Sequence, residues 1–143
     1  MSTFNFKLAH SVKNRDVVVM KDRIAKVVAN VLSAPAKHGH TKCNLMLEEV
    51  ATGRRFEHKL SGDQRVKLPE VKLVQYALIA MDDEGFLTVM DSRGEERSDL
   101  RVEPETQLYA KIGEAMADSD NYFEVVVFSA MDLEFVADLK VVR

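Results

Sequence analysis

The chain has 143 residues, of which 46% are hydrophobic and 30% are charged, and its formal net charge is −3. This composition can bury a core and excludes a disordered chain. No run approaches the roughly 20 apolar residues that span a bilayer, and residues 1–7 contain no continuous apolar stretch, so we expect no membrane segment and no secretory signal. A single cysteine, Cys43, cannot form an internal disulfide, which favours a reducing, cytoplasmic environment.

Charge is distributed unevenly along the chain. Residues 1–68 carry 13 Lys and Arg against 6 Asp and Glu, a net of +7, whereas residues 69–143 carry 7 against 17, a net of −10. A basic half attracts the phosphates of nucleic acid, and an acidic half is repelled by them. We therefore predict two modules with different partners, 1–68 and 69–143, with the boundary at Pro69, where the charge balance changes sign.

The first module is predicted to be a set of short strands separated by turns. Alternating or Val- and Ile-rich segments predict strands over 16–20, 24–32, 43–50, 54–60 and 65–68. Polar or glycine-containing segments at 21–23, 51–53 and 61–63 predict the turns between them. Five short strands at this spacing are typical of a small barrel.

The second module is predicted to contain three strands, one helix and two further strands. The strand-like segments include 73–81, 86–90, 123–130 and 135–142, with turns at 82–85 and 92–94. Pro104 is expected at the first helical position, and Leu108, Ile112 and Met116 share one apolar helix face. This element order is that of an OB-fold, so the predicted fold class is all-β with one short helix.

Motifs that would carry enzyme chemistry are absent from the sequence. The glycines are scattered singly, so they form no phosphate-binding loop. Cys43 lies inside a strand pattern and is expected to pack in a core. His38 and His40 could supply two metal ligands, but a third would have to come from His10 or His58. We predict no catalytic residue and no metal site.

One loop differs from the rest of the chain. Positions 33–42 read Ser-Ala-Pro-Ala-Lys-His-Gly-His-Thr-Lys, between two predicted strands. Pro35 favours extended backbone before it, and Gly39 permits a bend that most residues resist. Small neighbours such as Ala36 leave Lys37 free to project from the tip of a hairpin loop. Composition alone favours a solvated lysine over a functional one.

The segment Lys37-His38-Gly39-His40 with Thr41-Lys42 resembles the modification loop of the eukaryotic translation initiation factor 5A family, which is related to bacterial elongation factor P. The chain is similar to that family from about residue 8 to its end, most clearly over 13–20, 52–57, 91–101 and 128–131. Pro35-Ala36 stands where the family has threonine and glycine, and Ala34 stands where it usually has a lysine. The chain is therefore identified as a divergent member.

The resemblance implies an N-terminal SH3-like barrel followed by a C-terminal OB-fold. It implies that Lys37 becomes hypusine: deoxyhypusine synthase transfers an aminobutyl group from spermidine, and deoxyhypusine hydroxylase completes the side chain. No cofactor is implied. The modified lysine would help to position the acceptor end of peptidyl-tRNA on the ribosome, relieving stalls at proline runs and supporting termination. The loop residues that would contact tRNA are Pro35, Ala36, His38, Gly39, His40 and Lys42. Arg54 and Arg55 are expected to contact ribosomal RNA or tRNA.

Three alternatives stay open at this point. The chain could be an unmodified family offshoot that serves as a general RNA-binding module, or a self-assembling structural protein. A metal-dependent enzyme built on His38 and His40 is the third. No membrane partner is expected, and the sequence leaves a weak homodimer open.

Overall fold

The computed structural model describes residues 4–33 and 41–142. Over these residues the chain consists mainly of antiparallel strands with one α-helix, which confirms the predicted fold class. The chain divides into two compact units, 1–71 and 72–143. The boundary predicted between 68 and 69 falls inside the last strand of the first unit, where Pro69 pairs with Phe4.

The first unit is a six-stranded antiparallel sheet with the strand order β1-β6-β2-β3-β4-β5. Its strands are β1 (Phe4–Leu8), β2 (Val17–Met20), β3 (Arg23–Ser33), β4 (Lys42–Glu49), β5 (Arg55–Ser61) and β6 (Arg65–Pro69). A 3₁₀ turn, Ala9–Ser11, follows β1. The sequence predicted five strands and missed β1, because this edge strand turns apolar side chains towards solvent and carries no core pattern.

Alternate residues of the central strands form the core of the first unit. Val18, Leu45 and Leu47 are fully buried on the inner face. The register between β3 and β4 shifts between Val27 and Ala29, which marks a β-bulge in the 11-residue strand β3. A bulge bends its strand and increases the local twist, so β3 can curve around this core.

The second unit contains the order predicted for an OB-fold. Its elements are β7 (Lys72–Met81), β8 (Leu87–Met90), β9 (Glu96–Arg97), α1 (Gln107–Ala117), β10 (Tyr122–Ala130) and β11 (Leu133–Val142). The five strands form one antiparallel sheet in the order β11-β10-β7-β8-β9. No helix in the described part of the chain is long and apolar enough to cross a membrane.

Helix α1 begins later than predicted. Pro104 lies in the preceding turn, and Thr106 is the N-cap, with its hydroxyl accepting a hydrogen bond from the Tyr109 amide at 3.2 Å. Capping by threonine satisfies one of the free amides of the first turn, which sets the start of the helix. Ile112 is fully buried as expected, whereas Met116 is exposed and Ala115 takes its place on the buried face.

An ion-pair cluster joins the two edge strands of the second unit. Arg97 on β9 donates to Asp99, at 2.5 Å from Nε to Oδ1, and to both carboxylate oxygens of Glu134 on β11. The same guanidinium donates to the Tyr76 hydroxyl at 3.3 Å and lies over that ring. Because β9 and β11 are at opposite ends of the sheet order, this clamp brings the open edges of the fold together.

Candidate functional site

The loop singled out by the sequence is carried by the hairpin of β3 and β4. The ladder between these strands runs through Leu32 paired with Cys43 to Ser33 paired with Lys42, the last pair before the loop. The predicted site residues Pro35, Ala36, Lys37, His38, Gly39 and His40 lie outside the described residues, so their roles stay predictions. The described residues define the base from which this loop leaves.

The returning end of the loop is fastened to the turn between β5 and β6. The Gly62 amide donates to the Thr41 carbonyl at 2.7 Å, and the Gly62 carbonyl accepts from the His10 amide at 3.2 Å. A Cβ added at Gly62 would lie 3.0 Å from the Thr41 carbonyl oxygen and 3.3 Å from the His10 Cβ. Glycine is therefore what allows three segments to meet at the loop base.

The strands beneath the loop are held from the inner face. The side-chain amide of Asn30 on β3 donates to the carbonyls of Ala9 and Val12, both at 2.9 Å, which ties β3 to the 3₁₀ turn. Cys43 is buried at 1% exposure, and burial raises the pKa of its thiol. This environment fits the predicted packing role for Cys43, since a protonated, enclosed thiol is a poor nucleophile.

A groove with a volume of about 870 Å³ opens on the outer face beside the loop base. It is lined by Val31, Ser33, Lys42, Cys43, Asn44, Lys59, Leu60 and Ser61. The register between β4 and β5 brings the polar lining residues together, because Lys42 is opposite Ser61 and Asn44 is opposite Lys59. The described residues of its lining carry two cations, two hydroxyls and one amide, and none of them is a carboxylate. A groove of this kind suits a phosphate ester.

Arg54 and Arg55 lie at the opposite end of the same strands. Arg55 is paired with Glu48, six residues along β4 from Lys42, which places it about 20 Å from the loop base. Its Nε is 3.8 Å from the Glu48 carboxylate. Arg54 is exposed in the turn before β5, where its amide donates to the Thr52 hydroxyl. The two arginines therefore form a second, separate cationic position.

Alternation along β5 shows why the arginines and the groove are electrostatically distinct. Arg55, Glu57, Lys59 and Ser61 occupy alternate positions and share the outer face. Glu57 thus separates Arg55 from Lys59, and Glu48 offsets the charge of Arg55. Sequence reasoning missed Lys59 because only the register with β4 reveals that it faces the same groove as Lys42.

The described histidines do not assemble a metal site. His58 is partly buried, and its pKa is lowered by burial and by the positive charge of Lys21. His10 is exposed, with Nδ1 3.2 Å from the Ser11 hydroxyl. Within residues 4–33 and 41–142, no group of three His, Cys, Asp or Glu side chains is arranged to hold a metal. His38 and His40 of that alternative lie outside the described residues.

Family models match both units of the chain. A model described as "Eukaryotic elongation factor 5A hypusine, DNA-binding OB fold" matches residues 70–140. A second, described as "Translation initiation factor 5A-like, N-terminal", matches residues 2–64.

Similarity to individual proteins extends over most of the chain. The chain is 32% identical to eukaryotic translation initiation factor 5A of Zea mays over 132 residues, which cover 92% of this chain and 82% of that protein. It is 30% identical over the same length to factor 5A-4 of Solanum tuberosum. A solved structure of a translation initiation factor 5A family protein from Naegleria fowleri matches 96% of this chain and 98% of its own, with a TM-score of 0.83 and 29% identity. The factor from Methanococcus jannaschii shares the fold, with a TM-score of 0.72 at 17% identity.

Proposed function

This chain belongs to the eukaryotic translation initiation factor 5A family, a family of translation factors, and we propose that it works in the cytoplasm as a ribosome-binding factor in elongation and termination. In this proposal Lys37 is converted to hypusine by deoxyhypusine synthase and deoxyhypusine hydroxylase, with spermidine as the donor. The modified side chain positions the acceptor end of peptidyl-tRNA and relieves stalls, for example at proline runs.

The observation that carries this proposal is the groove at the base of the loop, where no described lining residue is a carboxylate. Lys42 and Lys59 lie in it beside Ser33, from which the loop begins. Because neither cation forms an ion pair with a described residue, both can neutralise phosphates of a tRNA that approaches the loop. The groove therefore supports a role for the loop in contacting tRNA.

Anchoring of the loop base supports the positioning role. The Thr41 carbonyl is held by Gly62, and β3 is held by Asn30, so the loop leaves from a firm support. A lengthened Lys37 side chain would add reach and a second amine. The factor would then act by orienting a substrate in the ribosome's own active site, which is an entropic contribution to the reaction. No catalytic residue of this chain is required.

The modification is tested by the intact mass of the protein purified from its own cells. We expect the added mass of one hydroxylated aminobutyl group, located at Lys37 by peptide mapping. Lys37→Arg keeps the charge but cannot accept the aminobutyl group, so it should fail to support synthesis of a reporter containing a proline run. Lys140→Arg, at an exposed position of β11, is the matched control.

Other outcomes would point to the alternatives. Unmodified Lys37 together with RNA binding would favour a general RNA-binding module, and reversible high-order assembly in light scattering would favour a structural protein. Normal proline-run synthesis with Lys37→Arg as the sole copy would overturn the proposal.

The groove makes a separate prediction about ribosome binding. Replacing Lys42 or Lys59 with Gln should weaken binding and reduce the dependence of log K on log salt by about 0.7–0.9 for each phosphate that is no longer neutralised. Arg55→Gln should have a smaller effect, because Glu48 already offsets that charge. Binding to purified ribosomes by sedimentation over a salt series measures both slopes. Equal effects at Lys59 and Arg55 would contradict the assignment of the groove.

A further inference from the structure

The outer face of β1 and β6 carries an arrangement that the modification loop does not use. Cross-strand pairs place Phe6 opposite Lys67 and Leu8 opposite Arg65. Directly opposed residues in an antiparallel pair have their side chains on the same face. Phe6, Leu8, Arg65 and Lys67 therefore form one surface, which we call the β1–β6 face.

Large apolar side chains on this face are open to solvent. Phe6 is 57% exposed and Leu8 is 41% exposed. The neighbouring ring of Phe4 lies under the Lys67 ammonium, with 3.7 Å from Nζ to the ring centroid. Aromatic rings interleaved with cations are the pattern that proteins use to bind unpaired nucleotides, because bases stack on the rings and phosphates meet the cations.

The charge of the two strands has one sign. Strands β1 and β6 contain Lys7, Arg65 and Lys67 and no Asp or Glu. Lys7 is occupied on the other face, where its Nζ lies 3.0 Å from the Asp16 carboxylate. Among the residues that the structure describes, neither Arg65 nor Lys67 takes part in an ion pair. Both cations are therefore available for phosphates.

We propose that the β1–β6 face binds single-stranded RNA, with Phe6 stacking on an unpaired base and with Arg65 and Lys67 contacting successive phosphates. Alternate residues of a strand are about 6.7 Å apart, a separation comparable to that of adjacent phosphates in an extended RNA strand. The site is distinct from the Lys37 loop and does not depend on its modification. It adds an RNA contact to the proposed function and can fail independently of it.

A protein partner fits the face less well than RNA. Burying Phe6 and Leu8 against an apolar protein surface would also bury the flanking Arg65 and Lys67, and burying a charge is costly unless it is paired. RNA supplies apolar base faces and anionic phosphates in the same strand. Duplex RNA offers no free base faces, so the proposal is limited to unpaired RNA.

The test measures binding of recombinant, unmodified full-length protein to a short fluorescein-labelled oligouridylate by fluorescence anisotropy. Phe6→Ala should weaken binding about tenfold, in keeping with the removal of one base-stacking interaction. Arg65→Gln and Lys67→Gln should each lower the salt slope by about 0.7. Because the recombinant protein carries no hypusine, binding to it separates this site from the modification of Lys37.

Controls come from the second unit. Tyr122→Ala removes an aromatic ring that is 82% exposed, and Lys140→Gln removes an exposed cation. Neither should change the affinity, and circular dichroism should show that every variant keeps its fold. Unchanged affinity and salt slope for the three β1–β6 variants would overturn the proposal. It would also be overturned if Phe6→Ala abolished self-association in sedimentation without altering oligouridylate binding, since the face would then bind a second copy of the chain.

Discussion

Replacing Gly62 with Ala is the sharpest test of how the loop base is held. The added Cβ would lie 3.0 Å from the Thr41 carbonyl oxygen, 3.2 Å from the Thr41 Cβ and 3.3 Å from the His10 Cβ. These distances are shorter than ordinary van der Waals contact, so Thr41 or His10 must move by a few tenths of an ångström. Both are tied by backbone hydrogen bonds to the residue being changed, which limits how far they can move.

Two opposing terms set the size of the effect. Overpacking a buried site destabilises the fold by about 1–3 kcal/mol. Gly→Ala also lowers the conformational entropy of the unfolded chain, which stabilises the fold by about 0.4–1 kcal/mol. The net is a loss of about 1–2 kcal/mol from the free energy of unfolding. In a unit of this size that corresponds to a fall of roughly 4–16 °C in the melting temperature.

Thermal unfolding followed by circular dichroism measures the loss, and NMR locates it. We expect shifted resonances and faster amide exchange at Gly62 and His10, whose amides form the anchoring hydrogen bonds. The matched control is Gly113→Ala in α1, where an added Cβ meets nothing within 4 Å. There the substitution should stabilise by about 0.5–1 kcal/mol through helix propensity. If Gly62→Ala were as stabilising as Gly113→Ala, the loop base would not be anchored as described.

Three further predictions concern stability. Gly85 has φ of +93°, and an added Cβ would lie 2.0 Å from the Val102 carbonyl oxygen. Gly85→Ala should therefore lower the free energy of unfolding, measured in urea, by more than about 3 kcal/mol. A loss below about 1 kcal/mol would contradict the close approach of Gly85 to Val102. Arg97→Met should cost about 1–3 kcal/mol, between the values for exposed and buried ion pairs. Hydrogen bonds from Arg97 lower the pKa of Asp99. The stability that the ionised Asp99 contributes is therefore present above the ordinary pKa of the carboxyl and is lost as the pH falls through the lowered pKa. Arg97→Met should remove this dependence of stability on acid pH. Burial lowers the pKa of His58, so stability should decline as the pH falls below about 6.5, and His58→Gln should flatten the urea midpoint over that range.

The local sequence pattern was sufficient to predict most of the fold. The alternation of buried residues in β4 and the order of strands around α1 follow from side-chain periodicity, which acts over neighbouring residues. The start of α1 shows where this approach fails: Pro104 is compatible with a first helical turn, but the Thr106 hydroxyl satisfies the Tyr109 amide and the helix begins there. Two local signals competed, and capping decided between them.

Contacts between distant segments explain what the sequence could not provide. Arg97 and Glu134 are 37 positions apart, and no spacing rule connects them. Gly62 reads in the sequence as an ordinary turn glycine, although its function is to let Thr41 and His10 approach. β1 was overlooked because its exposed Phe6 does not contribute to a core pattern.

The two arginines show how register changes a functional reading. In the sequence, Arg54 and Arg55 are a basic pair in the basic half, equivalent to any other cations there. In the sheet, Arg55 is opposite Glu48 and lies far along the strand from Lys42, while Lys59 lies beside the loop base. The ion pair with Glu48 weakens the attraction of Arg55 for a phosphate, whereas Lys59 takes part in no ion pair among the described residues. We therefore expect the proposed ribosome binding to depend more on Lys59 than on Arg55.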